Sequence, residues 1–190
     1  MSFRKCAGLG AVGAASLLAF AAPAWADKVR LETSMGDIVL ELEPLKAPKT
    51  VANFEQYVKS GFYDGTIFHR VIDNFMVQGG GMAPDLTEKR TLSPIPLESH
   101  NGLKNVRGTV AMARTDVPDS ATAQFFINVR DNAFLDAANS PQGTGYAVFG
   151  HVVSGMDVVD KIKQVKTATR GMNENVPVAP VLIKKATLEK

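Results

Sequence analysis

Short apolar runs, each bounded by glycine, asparagine, aspartate or proline, are the feature of this sequence that most restricts its fold. Runs of this length are typical of short β-strands, and their number favours an antiparallel sheet that closes, or nearly closes, into a barrel. Periodicity alone does not fix the number of strands. The runs in the middle of the chain are residues 67–72, 75–77, 109–113, 125–129 and 147–152.

Strands are also predicted near both ends of this region. Apolar and polar residues alternate at residues 29–33 and again at 38–43, with a glycine-containing segment at 35–37 between them. This pattern predicts a half-buried hairpin with a tight turn. A final strand is expected at residues 181–188.

Two helices are predicted beside these strands. The first begins near Pro48, a residue suited to a first helical turn, and places Val51, Phe54 and Val58 on one face. The second covers residues 155–163, where apolar residues recur at helical spacing.

Residues 68–81 carry the most specific pattern, because they place the cation of Arg70 and the amide of Gln78 among large apolar side chains. This segment closely resembles the signature of the cyclophilins, the cyclosporin-binding class of peptidyl-prolyl cis-trans isomerases. Further blocks resemble the family in the same order, at residues 112–114, 123–127, 134–136 and 146–150.

The resemblance extends from about residue 29 to the C-terminus. It implies a mainly β fold, a closed eight-stranded antiparallel β-barrel capped by two α-helices. It also implies a single domain over residues 27–190 with peptidyl-prolyl cis-trans isomerase activity (EC 5.2.1.8 class).

Arg70 is the predicted catalytic residue. Rotation about a peptide bond needs no nucleophile, because the barrier of roughly 18–20 kcal/mol is loss of resonance in the C–N bond. A fixed guanidinium can bind the prolyl carbonyl and interact with the nitrogen as twisting makes its lone pair pyramidal, so the interaction strengthens in the transition state. Outside this motif, an arginine in a strand more commonly pairs with a surface carboxylate.

The family resemblance also implies a set of substrate-binding residues. The large apolar side chains would hold the proline ring, while the Gln78 amide and the main-chain groups of Ala113 and Arg114 would bind the substrate backbone. Any one of the apolar residues by itself would be read as barrel core. The set is Phe75, Met76, Gln78, Ala113, Arg114, Gln124, Phe126, Phe134, Leu135 and Tyr146.

Three matched positions depart from the best-known eukaryotic cyclophilins. Phe134 stands where they have tryptophan, Tyr146 where they have histidine, and Arg114 where they have asparagine, and the segment between Asp136 and Tyr146 is longer. Phe134 keeps an apolar face for proline. Weak cyclosporin binding is expected, because a hydrogen bond to the drug worth about 1–3 kcal/mol would be lost.

His69 could suggest a general base, but no recognisable nucleophile motif accompanies it. The resemblance implies that His69 supports Arg70 from behind the site. The glycines at 79–81 lack the lysine that follows in a phosphate-binding loop, and they are better explained by close backbone packing and a tight turn. No metal and no cofactor are expected, because His69, His100 and His151 are scattered and lack ligand spacing.

Residues 1–26 predict an export signal. Arg4 and Lys5 precede an uncharged run, and an Ala-x-Ala pattern ends at Ala26, after which cleavage is expected. The alternative is a membrane anchor, but the run is short and rich in alanine and glycine. Cleavage would remove Cys6, the only cysteine, and Trp25, the only tryptophan, and would leave 19 basic and 19 acidic residues. The signal predicts export, and the resemblance, which with these departures is to exported bacterial cyclophilins, implies a periplasmic location.

The expected partners are proline-containing unfolded or partly folded polypeptides. We expect a monomer without a nucleic-acid surface, since the charges balance, and without membrane contact once the signal is removed. Two alternatives remain. The pocket could hold extended chains as a binding or chaperone module without turning them over, or the barrel could bind a small apolar ligand.

Overall fold

The computed structural model describes residue 1 and residues 27–189. The rest of the predicted signal, with Cys6, Trp25 and the cleavage site after Ala26, lies outside the described residues. The described part contains two α-helices, α1 (Pro48–Lys59) and α2 (Met156–Lys163). Neither of these helices is long and apolar enough to cross a membrane. The strands are β1 (Lys28–Thr33), β2 (Gly36–Leu42), β3 (Thr66–Ile72), β4 (Met76–Met82), β5 (Thr109–Met112), β6 (Phe125–Asn128), β7 (Val148–Ser154), β8 (Thr167–Arg170), β9 (Asn173–Pro177) and β10 (Leu182–Glu189).

Eight of these strands form a closed barrel in the order β1-β10-β3-β4-β6-β5-β7-β2, and β2 pairs with β1 to complete it. All pairings are antiparallel, and both helices pack against the barrel strands. The predicted eight-stranded antiparallel barrel with two helices is confirmed.

The first hairpin follows its sequence pattern. Val29 and Leu31 of β1 and Ile38 and Leu40 of β2 are fully buried, since residues two apart on a strand face the same side. The turn is formed by residues 34–35, one position before the predicted turn, because β2 already begins at Gly36.

Helix α1 contributes an aromatic side chain to the centre of the core. Phe54 lies with its ring centroid 5.1 Å from Tyr63, 5.5 Å from Phe125 and 5.0 Å from Phe149. Val51 and Val58 are buried on the same helix face, as predicted. This packing closes one side of the barrel interior.

Strands β4, β5 and β6 also bury side chains on their other face. A second apolar cluster there is separate from the main core, and its buried members are Met76, Ala111, Phe126, Leu135 and Val148. Since strand side chains alternate between faces, this cluster lies on the outer surface of the barrel wall. It forms the base of the candidate site.

The expected tight turn at residues 79–81 is wrong. These glycines lie within β4, between β3 and β6. Close packing explains them, because a Cβ on Gly79 would lie 2.9 Å from the Ile67 carbonyl oxygen and one on Gly81 would lie 2.4 Å from the Gln124 side chain.

Strands β8 and β9 form a separate two-stranded sheet that the sequence pattern did not predict. Every residue of β8 is exposed, so the strand lacks the apolar alternation that reveals strands in a sequence. Strand β9 packs against β3, which places this hairpin next to the strand that carries Arg70.

Candidate active site

A cavity of about 300 Å³ lies on the outer face of the barrel over the second apolar cluster. The structure brings together all the residues predicted to act on substrate except Gln124. The cavity is lined by Arg70, Phe75, Met76, Gln78, Ala113, Arg114, Phe126, Phe134, Leu135 and Tyr146.

The strand register explains how distant parts of the sequence meet at this cavity. Arg70 of β3 pairs with Gln78 of β4, Gln78 pairs with Phe126 of β6, and Phe126 pairs with Ala111 of β5. Directly paired residues point to the same face of a sheet. The cation, the amide and the aromatic ring therefore form one row across the barrel wall.

The base of the cavity is apolar. Met76, Phe126 and Leu135 are buried, and they belong to the second cluster. At the rim, the Phe134 ring stacks on Phe75 at 5.6 Å between centroids, and 59% of Phe134 is exposed. These surfaces make a concave apolar site that can accept a small ring.

Arg70 forms one side of the cavity, and few groups hold it. Its guanidinium donates a hydrogen bond to the Gln78 side-chain oxygen at 3.4 Å and lies 6.0 Å from the Phe75 ring centroid. Within the described residues it forms no ion pair with a carboxylate. The surface ion pair considered for this arginine is therefore not formed there.

Gln78 connects Arg70 to Gln124 through a chain of side-chain hydrogen bonds. The Gln78 amide donates to the Gln124 oxygen at 2.9 Å, and the Gln124 amide donates to Glu88 at 3.2 Å. Gln124 lies in the cleft next to the cavity, which it shares with Gln78 and Arg114.

The Arg114 side chain is held at the rim. Its Nε donates to the Gly145 carbonyl at 2.9 Å, another nitrogen donates to Thr144 Oγ1 at 3.0 Å, and its guanidinium lies 4.7 Å from the Tyr146 ring centroid. The guanidinium therefore fixes the segment before Tyr146. The neighbouring Ala113 uses its N–H to bind the Gln124 carbonyl at 2.9 Å, so this donor is not free for a substrate.

His69 is buried beside Arg70, with 5% of its surface exposed. Its Nδ1 has no hydrogen-bond partner within the described residues. Burial lowers the pKa of His69 to about 4, and the positive charge of Arg70 adds to this effect. The imidazole is therefore neutral at pH 7 and adds no positive charge beside Arg70.

A groove of about 390 Å³ lies on the opposite side of Arg70 and was not anticipated from the sequence. Arg70, Gln78 and Gln124 form one wall, and residues 172–174 from the β8–β9 hairpin contribute the other. Gly171, which has a φ of +59°, was a turn signal for this hairpin in the sequence. The strands on either side of it are mostly polar, so no apolar pattern indicated them.

Residues 28–188 match the family model described as cyclophilin type peptidyl-prolyl cis-trans isomerase/CLD. The chain belongs to the cyclophilins. It is therefore a peptidyl-prolyl cis-trans isomerase, an enzyme that acts on proline-containing polypeptides. The match covers every barrel strand except the last residue of β10, Glu189, and it includes every residue that lines the cavity.

Curated cyclophilin relatives are similar over nearly their full lengths. A peptidyl-prolyl cis-trans isomerase of Streptomyces antibioticus is 61% identical over 84% of this chain and 97% of its own. Peptidyl-prolyl cis-trans isomerase B of Escherichia coli K12 is 56% identical over 85% of this chain and 99% of its own. Peptidyl-prolyl cis-trans isomerase A of Dickeya dadantii is 55% identical, with 92% and 93% covered.

Solved cyclophilin structures share the fold. A cyclophilin type peptidyl-prolyl cis-trans isomerase of Cryptosporidium parvum superposes with a TM-score of 0.75 at 27% identity, covering 87% of this chain and 99% of its own. The same protein in the presence of the dipeptide Ala-Pro gives a TM-score of 0.74, with 86% and 99% covered.

Proposed function

We propose that this cyclophilin is exported to the periplasm, where it accelerates X-Pro isomerisation in proteins that are folding. We further propose that Arg70 lowers the barrier by stabilising the twisted amide without a covalent step. The observation that carries the mechanism is a guanidinium without an ion pair in the described residues, placed beside an apolar cavity.

The cavity suits a proline ring. Met76, Phe126 and Leu135 form an apolar base, and the Phe75 and Phe134 rings stand at one side. Apolar and aromatic walls with a few polar groups are typical of sites for small ligands. The Cryptosporidium neighbour was solved in the presence of Ala-Pro, a dipeptide that contains this ring.

The proposed mechanism follows from the change in the amide during rotation. Resonance is lost as the C–N bond twists, so the proline nitrogen regains a lone pair that a guanidinium N–H can approach. Arg70 would bind the prolyl carbonyl in the ground state and strengthen its contact as the lone pair forms. Only an interaction that grows in this way lowers the barrier.

The polar chain from Arg70 through Gln78 to Gln124 supports this role. Gln78 occupies a single hydrogen-bond site on Arg70, so most of the five guanidinium N–H groups remain for a substrate. In our proposal, Gln78 and Gln124 orient Arg70 and bind the substrate backbone. His69 supports this wall as a neutral group.

Export is proposed from the features of residues 1–26. The basic start, the uncharged run and the Ala-x-Ala pattern suit removal after Ala26. Mass spectrometry of the protein recovered from a periplasmic extract would test this. A mass that begins at Asp27 is expected, and full-length protein retained in the cytoplasm would contradict the proposal.

Isomerase activity and its mechanism can be tested by NMR exchange spectroscopy on a short Ala-Pro peptide, whose uncatalysed exchange takes tens to hundreds of seconds. We expect the protein to accelerate exchange and Arg70→Ala to lower kcat/KM by about 100-fold or more. Arg130→Ala is the matched control, because Arg130 is exposed and does not line the cavity. Full activity in folded Arg70→Ala would contradict the catalytic role.

A further inference from the structure

Arg70 separates two depressions on the barrel surface. The candidate active cavity lies on one side, and the groove of about 390 Å³ lies on the other, with Gln78 shared by both. The far wall of the groove is the end of the β8–β9 hairpin, with Met172 in its turn and Glu174 in β9. A chain that leaves the cavity past Arg70 therefore enters the groove.

The hairpin that forms this wall is anchored. Val176 and Pro177 of β9 are buried, and β9 packs against β3. On the other strand, Arg170 donates a hydrogen bond to the Val178 carbonyl at 2.8 Å. These contacts fix the turn next to Arg70, so the groove is formed before any ligand arrives.

The direction of a bound chain follows from the proposed role of Arg70. If the guanidinium binds the prolyl carbonyl, the residues that follow proline must leave on the Arg70 side. An extended chain advances roughly 3.3–3.6 Å per residue, so two or three residues reach about 7–11 Å beyond proline.

We propose that this groove binds the two or three substrate residues that follow proline, and that Met172 and Glu174 make it prefer apolar or basic side chains there. This inference rests on the proposed role of Arg70. It assigns a sequence preference to the end of the β8–β9 hairpin, which lies outside the cavity.

The chemistry of the hairpin end supports this preference. The Met172 side chain is fully exposed at the edge of the groove, and a flexible, polarisable thioether adapts to apolar side chains of different shape. Glu174 is exposed and forms no ion pair within the described residues, so its carboxylate is available to a lysine or arginine.

The opposite wall of the groove carries Arg70, which would favour an acidic substrate residue instead of a basic one. Arg70 would attract an acidic residue, whereas the buried His69 is neutral at pH 7. A neutral carbonyl leaves the Arg70 charge in place but holds its guanidinium beside the proline, so we expect Glu174 to dominate at the second residue after proline. An exposed ion pair of this kind changes affinity by about two- to fivefold.

The test uses peptides of the form Ala-Ala-Pro-Ala-Xaa-Ala, with Xaa as lysine, glutamate, leucine or alanine. NMR exchange spectroscopy gives kcat/KM for each with the mature chain and with Glu174→Gln and Met172→Ala. Asp157→Asn is the matched charge control, because Asp157 lies on α2 and does not line the groove. Each series is repeated in about 0.5 M salt, because salt at this concentration screens the interaction between exposed charges.

We expect the lysine peptide to exceed the glutamate peptide by about two- to fivefold. This ratio should fall towards one in Glu174→Gln and in high salt, and stay unchanged in Asp157→Asn. Met172→Ala should remove the preference for leucine over alanine.

An unchanged lysine-to-glutamate ratio in Glu174→Gln, or a preference for glutamate, would overturn the inference. If all peptides are turned over with full dependence on Arg70 but without selectivity, only the groove assignment fails; if none is turned over, the proposed function fails as well.

Discussion

Arg70 lies directly opposite Gln78 across strands β3 and β4 and donates a hydrogen bond to its side-chain oxygen at 3.4 Å. The Gln78 amide in turn donates to Gln124 at 2.9 Å. A neutral amide orients a guanidinium without neutralising it, whereas a carboxylate at this position would form an ion pair. This arrangement leaves the Arg70 charge available to a substrate.

Replacement of Gln78 by alanine should lower kcat/KM by up to about tenfold. The variant loses a hydrogen bond to a charged group and the link to Gln124, together worth about 1–1.5 kcal/mol, and tenfold in rate corresponds to about 1.4 kcal/mol. Peptide exchange by NMR would measure the loss. Gln164→Ala is the control, because Gln164 is exposed after α2. A variant as active as the wild type would show that Arg70 needs no partner.

The stability of the protein should depend on pH through His69. Its pKa is about 4 in the folded protein, because of burial, and about 6.5 when unfolded. Between these values the unfolded chain binds a proton that the folded protein does not, so stability falls as pH falls from about 6.5 to 4. The contribution of this one group is on the order of 3 kcal/mol.

Urea denaturation at pH 7 and pH 4 would measure this effect. His69→Gln should lose less stability than the wild type over this range, while His100→Gln, at an exposed position, should behave as the wild type. Equal losses in the wild type and in His69→Gln would contradict the lowered pKa. Since the imidazole stays neutral, kcat should not show a histidine titration between pH 5.5 and 8.

A buried asparagine supports the wall of the cavity. The Asn132 side-chain amide donates to the Phe75 carbonyl at 2.9 Å and to the Asn128 side-chain oxygen at 2.8 Å. Asn132→Ala would leave both acceptors without this donor, so we expect the free energy of unfolding to fall by about 2–3 kcal/mol and KM to rise. Asn139→Ala, which removes an exposed hydrogen bond in the same segment, is the control. A loss no greater than in this control would contradict the supporting role.

Phe134→Trp should increase cyclosporin affinity. The ring at this position stacks on Phe75 and is largely exposed, so a larger ring can be accommodated at the rim. Tryptophan would restore the N–H donor that this chain lacks, a gain of about 1–3 kcal/mol. Inhibition titrations of both proteins would measure it. Tight inhibition of the wild type, or no gain in the variant, would contradict the expected role of residue 134.

Most strands and both helices could be predicted because their signals are local, whereas the strand count of the barrel and the residues of the cavity came from the family resemblance. Alternation in β1 and β2 and the apolar face of α1 are visible in single segments. The pairing of Arg70 with Gln78 needed the family resemblance, since no local pattern specifies which strands become neighbours.

Features that depend on packing between distant segments could not be predicted. The glycines at 79–81 were expected both to pack closely and to form a tight turn; the close packing is found, but the residues lie within β4, and turn and packing glycines look alike in a sequence. Strand β8 is exposed along its whole length, so it lacks a pattern. The hydrogen bonds that engage Arg114 and Ala113 involve residues that only the folded chain brings together.

The most direct test of the central claim separates binding from catalysis in Arg70→Ala. A titration of an Ala-Pro peptide gives Kd, and NMR exchange at saturating peptide gives kcat, for the wild type and the variant. If Arg70 acts mainly on the twisted amide, kcat should fall by about 100-fold while Kd changes far less. An unchanged kcat with a proportionate loss of affinity would show that Arg70 only binds the substrate.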